Sequence, residues 1–124
     1  FGCDDCQLIC PWNKHPKHTQ EVDFHPRHNL DSTDLLTLFK WDEATFLDKT
    51  AGSPIRRIGY ELWQRNLAIG LGNAPTRVDI IDTLERAKLT SSSLVNDHLE
   101  WAIHQQKQPN RRRIRKIKAP KKEA

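Results

Sequence analysis

The hydrophobic pattern divides the chain at Ser32. Over residues 1–31 the apolar positions show no helical or strand period, and Pro11, Pro16 and Pro26 break any helix, so this stretch reads as loop. From Ser32 onward the period becomes helical. Ser32-Thr33-Asp34 opens a short run with Leu35, Leu36, Leu38 and Phe39 on its apolar side. Asp42 reads as the N-cap of a second short run through Phe46 and Leu47, stopped by Gly52. Ser53 as N-cap and Pro54 at the first helical position start the longest element. At about 100° per residue, Ile55, Ile58, Leu62, Trp63, Leu67 and Ile69 share one broad face. Gly59, Asn66 and Gly70 fall near its middle, where glycines would let another helix approach closely. Gly72-Asn73-Ala74-Pro75 ends the element. A fourth helix over residues 76–88 would bury Val78, Ile80, Ile81, Leu84 and Ala87. A turn at residues 90–93 caps a fifth, which carries Leu94, Val95, Leu99, Trp101, Ala102 and Ile103 inward and ends at Pro109.

Residues 65–71 (R-N-L-A-I-G-L) and 97–103 (D-H-L-E-W-A-I) echo one another 32 residues apart. Each is the back half of a helix that follows a shorter one. That period suggests short HEAT-like helix–turn–helix repeats stacked as a small solenoid. The expected fold is therefore mainly α. It has a loop segment over 1–31, a HEAT-like helical domain over 32–106, and a basic disordered tail over 107–124.

Composition adds a charge asymmetry. The tail holds nine Lys or Arg and one acid, a net of +8, so residues 1–106 carry −4 of the chain's +4. The basic character thus belongs to a tail on a mildly acidic body. At 124 residues, 36% apolar and a mean hydropathy of −0.75, the chain has room for one modest domain. No stretch nears the roughly 18 consecutive apolar residues of a membrane span. Three cysteines cannot pair completely as disulfides. Without secretory features they read as metal ligands in a reducing, cytoplasmic setting.

Those cysteines form the most informative motif, G-C-D-D-C-Q-L-I-C-P, with Cys3, Cys6, Cys10 and Pro11. Its C-x2-C-x3-C-P spacing is the last three-quarters of the bacterial ferredoxin run C-x2-C-x2-C-x3-C-P. In that register a further cysteine would lie one residue before Phe1. This, with the Phe start and the lack of Met, leads us to expect a fragment of a longer protein. Cubane iron is held by thiolates, and in two-cluster ferredoxins the cysteine before Pro serves the other cluster. Cys3 and Cys6 are thus expected on one [4Fe–4S] cluster and Cys10 on a second. Zinc on Cys3, Cys6, His15 and His18 is the competing arrangement. Its H-x2-H spacing is tighter than usual, and zinc gives no reason for the Cys-Pro. His15, His18, His25 and His28 otherwise read as surface loop residues.

With G-C-D-D-C-Q-L-I-C-P-W-N, G-S-P-I-R-R-I-G and R-N-L-A-I-G-L-G-N in order, the chain resembles the C-terminal part of bacterial epoxyqueuosine reductases over residues 1–106. The resemblance implies a two-cluster ferredoxin-like module and a HEAT-like region, behind an N-terminal cobalamin-binding domain. It implies reduction of epoxyqueuosine to queuosine at the tRNA wobble position, with an unidentified electron donor. It places Cys3 and Cys6 on one cluster and Cys10 on its neighbour. Asp4 and Asp5 would lie on a loop near the corrin. No catalytic residue is assigned to this chain, because the family's general acid lies in its N-terminal half. The chain alone is expected to be inactive, and the protein to be a monomer.

A tRNA substrate needs its phosphates neutralised. The candidates are Arg56, Arg57 and Arg65, with Arg111, Arg112, Arg113, Arg115, Lys116 and Lys118 of the tail. Arg57 could instead pair with Glu61 at i,i+4, and Arg65 could pack its stem at the edge of the apolar face. Asn66 and His98 read as satisfied core groups, and Trp12, Trp41, Trp63 and Trp101 as packing residues. The alternative function is a noncatalytic helical RNA-binding or adaptor module with a structural zinc site. If the tail contacts RNA, affinity falls steeply with salt, and deleting the residues after Pro109 flattens that dependence. An unchanged slope after deletion would refute a role for the tail.

Overall fold

The computed structural model describes residues 5–108, and all its regular elements there are helical. They are α1 (Asp5–Leu8), α2 (Leu35–Phe39), α3 (Glu43–Lys49), α4 (Gly59–Asn73), α5 (Val78–Ala87) and α6 (Ser93–Lys107). Short 3-10 turns lie at Pro11–Lys14, Val22–Phe24 and Pro54–Ile58.

The helix starts follow from local chemistry. The Asp34 carboxylate accepts the Thr37 N–H at 2.7 Å, Asp42 accepts that of Thr45 at 2.8 Å, and the Ser92 hydroxyl accepts that of Val95 at 3.4 Å. Each satisfies one amide left open at a first turn. These bonds also hold both carboxyls below the usual aspartate range: for Asp34 the Thr37 amide contributes most, for Asp42 the Thr45 side chain.

The long element divides differently from the expectation. Pro54–Ile58 is a 3-10 turn, and Gly59, the first residue of α4, takes φ +76°. A Cβ on Gly59 would meet nothing within 4 Å, so this glycine serves the backbone reversal and not close packing. The close approach lies further along, at Gly72, inside a helix that runs on to Asn73. A Cβ there would stand 2.5 Å from the Trp101 ring and 3.0 Å from the Ala102 Cα. At Gly70 it would stand 2.8 Å from a Leu35 methyl.

The core joins Leu36 and Phe39 of α2, Phe46 of α3, Trp63, Leu67 and Leu71 of α4, Ile80 and Leu84 of α5, and Val95, Leu99 and Ala102 of α6. Full burial of one such side chain stabilises the fold by about 1.5–3 kcal/mol. Trp63 anchors its aromatic end, stacked on Trp41 at 5.9 Å and tilted against Phe46 at 5.5 Å. Other expected core positions are at the surface. Val78 is 74% and Trp12 90% exposed, while Trp101, Leu94 and Ile69 are partly exposed. Asn66 and His98 are half-buried and satisfied locally, Asn66 by Arg65 and His98 by the Leu94 carbonyl. Neither belongs to the core.

Helices α4 and α6 make the largest contact. The Ser92 hydroxyl donates to Glu61 at one end, and the Gln106 amide donates to the Leu71 carbonyl at the other. The helices therefore run side by side in the same direction. The two echoing segments lie on neighbouring parallel helices.

Two buried glutamines, absent from the sequence reading, fix the corners. The Gln64 Nε2 donates to the carbonyls of Phe39 and Trp41 at 3.1 and 3.3 Å, where α2 turns toward α3. The Tyr60 hydroxyl donates to the same Trp41 carbonyl at 2.8 Å. Gln106 does the same one layer on. Its Nε2 donates to Leu71 and Ala74 at 2.6 and 3.0 Å, and its Oε1 accepts the Arg77 N–H at 3.1 Å. Replacing Gln106 with Leu would strand those backbone groups, and we expect a loss of about 2–4 kcal/mol in urea unfolding. Asp97→Asn, on the surface, should stay within about 0.5 kcal/mol of the parent. Equal stability of Gln106→Leu and the parent would contradict the corner role.

Candidate metal centre and basic surface

The cysteine segment is built from short local bonds. Cys6 lies in the single turn α1, and Cys10 precedes the Pro11–Lys14 turn in extended conformation, with φ −64° and ψ 121°. The Ile9 N–H reaches the Asp5 carbonyl at 3.0 Å, and the Asn13 N–H reaches the Cys10 carbonyl at 3.0 Å. The Asn13 side chain also donates to the Gln7 carbonyl at 2.7 Å, bracing the loop between the two cysteines. Pro11 fixes the entry to the second turn. Both thiols are free, Cys6 exposed and Cys10 half-buried. Two free thiols on consecutive braced turns suit a thiolate-bound metal or cluster. Cys3 and Asp4 lie outside the described residues. Asp5 heads α1 and is exposed.

Both metal arrangements include Cys3, which lies outside the described residues. Among the described residues no three His, Cys, Asp or Glu side chains form a metal-binding group, so Cys6, His15 and His18 do not come together. All three are exposed. Around them Leu8, Ile9, Trp12, Val22 and Phe24 are also largely exposed, so Trp12 packs into no core here.

The basic residues are arranged by the break at Gly59. Arg56 and Arg57 project from the 3-10 turn and are exposed, and neither guanidinium has an ion-pair or hydrogen-bond partner among the described residues. The expected Arg57–Glu61 pair is absent because the reversal at Gly59 interrupts the helical register between them. Glu61 takes the Ser92 hydroxyl at 2.5 Å instead. Arg65 is half-buried, and its Nε and Nη2 both donate to the Asn66 Oδ1 at 3.2 and 3.0 Å. Its position is thus set by a neighbour rather than by stem packing alone. Arg111, Arg112, Arg113, Arg115, Lys116 and Lys118 lie outside the described residues.

Together these features define a mainly helical protein with a braced cysteine segment offering thiols at one end. The chain belongs to the epoxyqueuosine reductase family. It is 52% identical over 103 residues to an epoxyqueuosine reductase of Pseudomonas aeruginosa, covering 83% of this chain and 28% of the relative. It is 55% identical over 108 residues to that of Vibrio cholerae, covering 87% and 29%. With that of Salmonella typhimurium it shares 50% over 123 residues, covering 99% and 32%. The chain spans under a third of the length of these curated relatives. No family model and no solved structure matches it.

Because Arg56 and Arg57 touch no partner, changing both to Gln should leave unfolding stability within about 0.5 kcal/mol of the parent. A larger loss in urea titrations would show that they hold the fold instead of facing a ligand.

Proposed function

We propose that this chain serves, within a full-length epoxyqueuosine reductase, as the part that holds iron–sulfur clusters and helps to bind tRNA. The observation that carries this reading is its near 50% identity, over 83–99% of its length, to proteins of that name. Cys3 and Cys6 would serve one [4Fe–4S] cluster and Cys10 its neighbour, and the free thiols of Cys6 and Cys10 support this. Bound clusters would supply single electrons toward cobalamin held elsewhere in the protein. Asn13 holds the loop between Cys6 and Cys10, and Pro11 fixes its exit. Asp4 and Asp5 remain candidates for a contact near the corrin.

The helices are read as HEAT-like repeats, supported by the parallel α4 and α6 and by the repeated glutamine corners. On that scaffold Arg56 and Arg57 are free to meet tRNA phosphates, and Asn66 orients Arg65 toward the same role. The tail arginines and lysines would add salt-sensitive affinity. We expect a cytoplasmic monomer fed by a separate electron donor.

The test is the full-length protein purified without oxygen. It should be brown, contain iron and cobalt, and convert epoxyqueuosine to queuosine in tRNA. Cys6→Ser and Cys10→Ser should each lose iron and activity while the far-ultraviolet helical signal persists. A colourless protein containing zinc would overturn the reading in favour of an adaptor.

A further inference from the structure

A cleft of about 420 Å³ lies away from the cysteine segment, where the α2–α3 corner, the first turns of α4 and the α5–α6 turn meet. Its hydrogen-bonding inventory is one-sided. Gln64 is 8% exposed, and its Nε2 is committed to Phe39, Trp41 and Tyr60. Its Oε1 accepts no hydrogen bond among the described residues. The single Tyr60 hydroxyl proton is committed to Trp41. Glu61 uses one carboxylate oxygen on Ser92 and Asp42 uses one on Thr45, which leaves each with a second oxygen. Around Gln64, Glu61 and Asp42 the cleft therefore presents acceptors, while the donors of Gln64, Tyr60 and Ser92 beside them are engaged.

The charge agrees with that inventory. Asp42 and Glu61 line the cleft, and Lys40 is the cation among the lining residues, without an ion-pair partner among the described residues. The Tyr60 hydroxyl is held above its ordinary range, first by burial and then by the Asp42 charge. Trp41 and Tyr60 add aromatic wall, which attracts cations. An anion would meet two carboxylates, with Lys40 as the one cationic side chain among the lining residues. A planar or tetrahedral cation with several N–H donors matches those acceptors and that charge.

We propose that this cleft binds a guanidinium or primary ammonium group, through Gln64 Oε1 and the carboxylates of Glu61 and Asp42. Such a group has two sources: a Lys or Arg side chain from residues 111–122 of this chain, or an external organic cation.

The experiment is titration of the intact protein, labelled with ¹⁵N-glutamine, with ethylguanidinium. N-ethylurea at matched ionic strength is the neutral control. The Gln64 side-chain amide, assigned through Gln64→Leu, should shift saturably with ethylguanidinium and not with the urea. Glu61→Gln keeps an acceptor for Ser92 yet removes the charge, and should weaken binding about tenfold. Asp42→Asn keeps the helix cap and should also weaken binding, whereas Lys40→Gln should strengthen it. A variant with Arg111, Arg112, Arg113, Arg115, Lys116, Lys118, Lys121 and Lys122 changed to Gln separates the sources. Tighter ethylguanidinium binding there identifies the chain's own residues as the competing occupant, and unchanged binding identifies an external cation. No saturable shift, an equal response to N-ethylurea, or indifference to both Glu61→Gln and Asp42→Asn would overturn the proposal.

Discussion

The side-by-side contact of α4 and α6 is the constraint on which the other elements depend. Gly72 lets the Trp101 ring and the Ala102 backbone come close enough for Leu71, Leu99 and Ala102 to exclude water. At the end of that contact Gln106 ties together the close of α4 and the start of α5. The α5 helix is then held against α6 by Leu84 and Ile80, while Lys88–Glu100 and Lys107–Glu85 lie on the exposed side. Those surface pairs contribute little beside the buried amide and the apolar contact. On the other flank Gln64 and Tyr60 secure the α2–α3 corner to the same α4.

This arrangement separates the labour of the chain. The helical body supplies the buried surface, and it can display Arg56 and Arg57 on a turn that Gly59 and Ser53 define. The cysteine segment buries almost nothing and rests on local bonds among Asp5, Gln7, Cys10 and Asn13. Under the proposed reading, a segment that gains so little from burial would be ordered by the clusters its thiols hold, because metal–thiolate bonds would supply the ordering energy. Its exposed Leu8, Ile9, Trp12 and Phe24 belong to the same picture.

What the sequence revealed depended on range. Asp42 and Ser53 were legible as caps because each bonds an amide two or three residues ahead. The cysteine spacing was legible because its geometry is local too. Gln64 and Gln106 were not, since their partners lie 23–35 residues away and a glutamine on a helix ordinarily faces water. The glycines exchanged roles for a related reason. Helical periodicity put Gly59 on a face, but positive φ at that residue resets the face and breaks the Arg57–Glu61 spacing. Trp12, Val78 and Trp101 show the limit of hydrophobicity as a guide to burial. Each is apolar, and only the fold decides which partners reach it.

The most direct test of this account is native-state hydrogen exchange on the chain. Amides of α4 and α6 should share the highest protection and open together, those of α2, α3 and α5 should follow, and those of residues 5–28 should exchange orders of magnitude faster. Protection of the cysteine segment equal to that of α4 and α6, or separate opening of α4 from α6, would contradict a body organised around their contact.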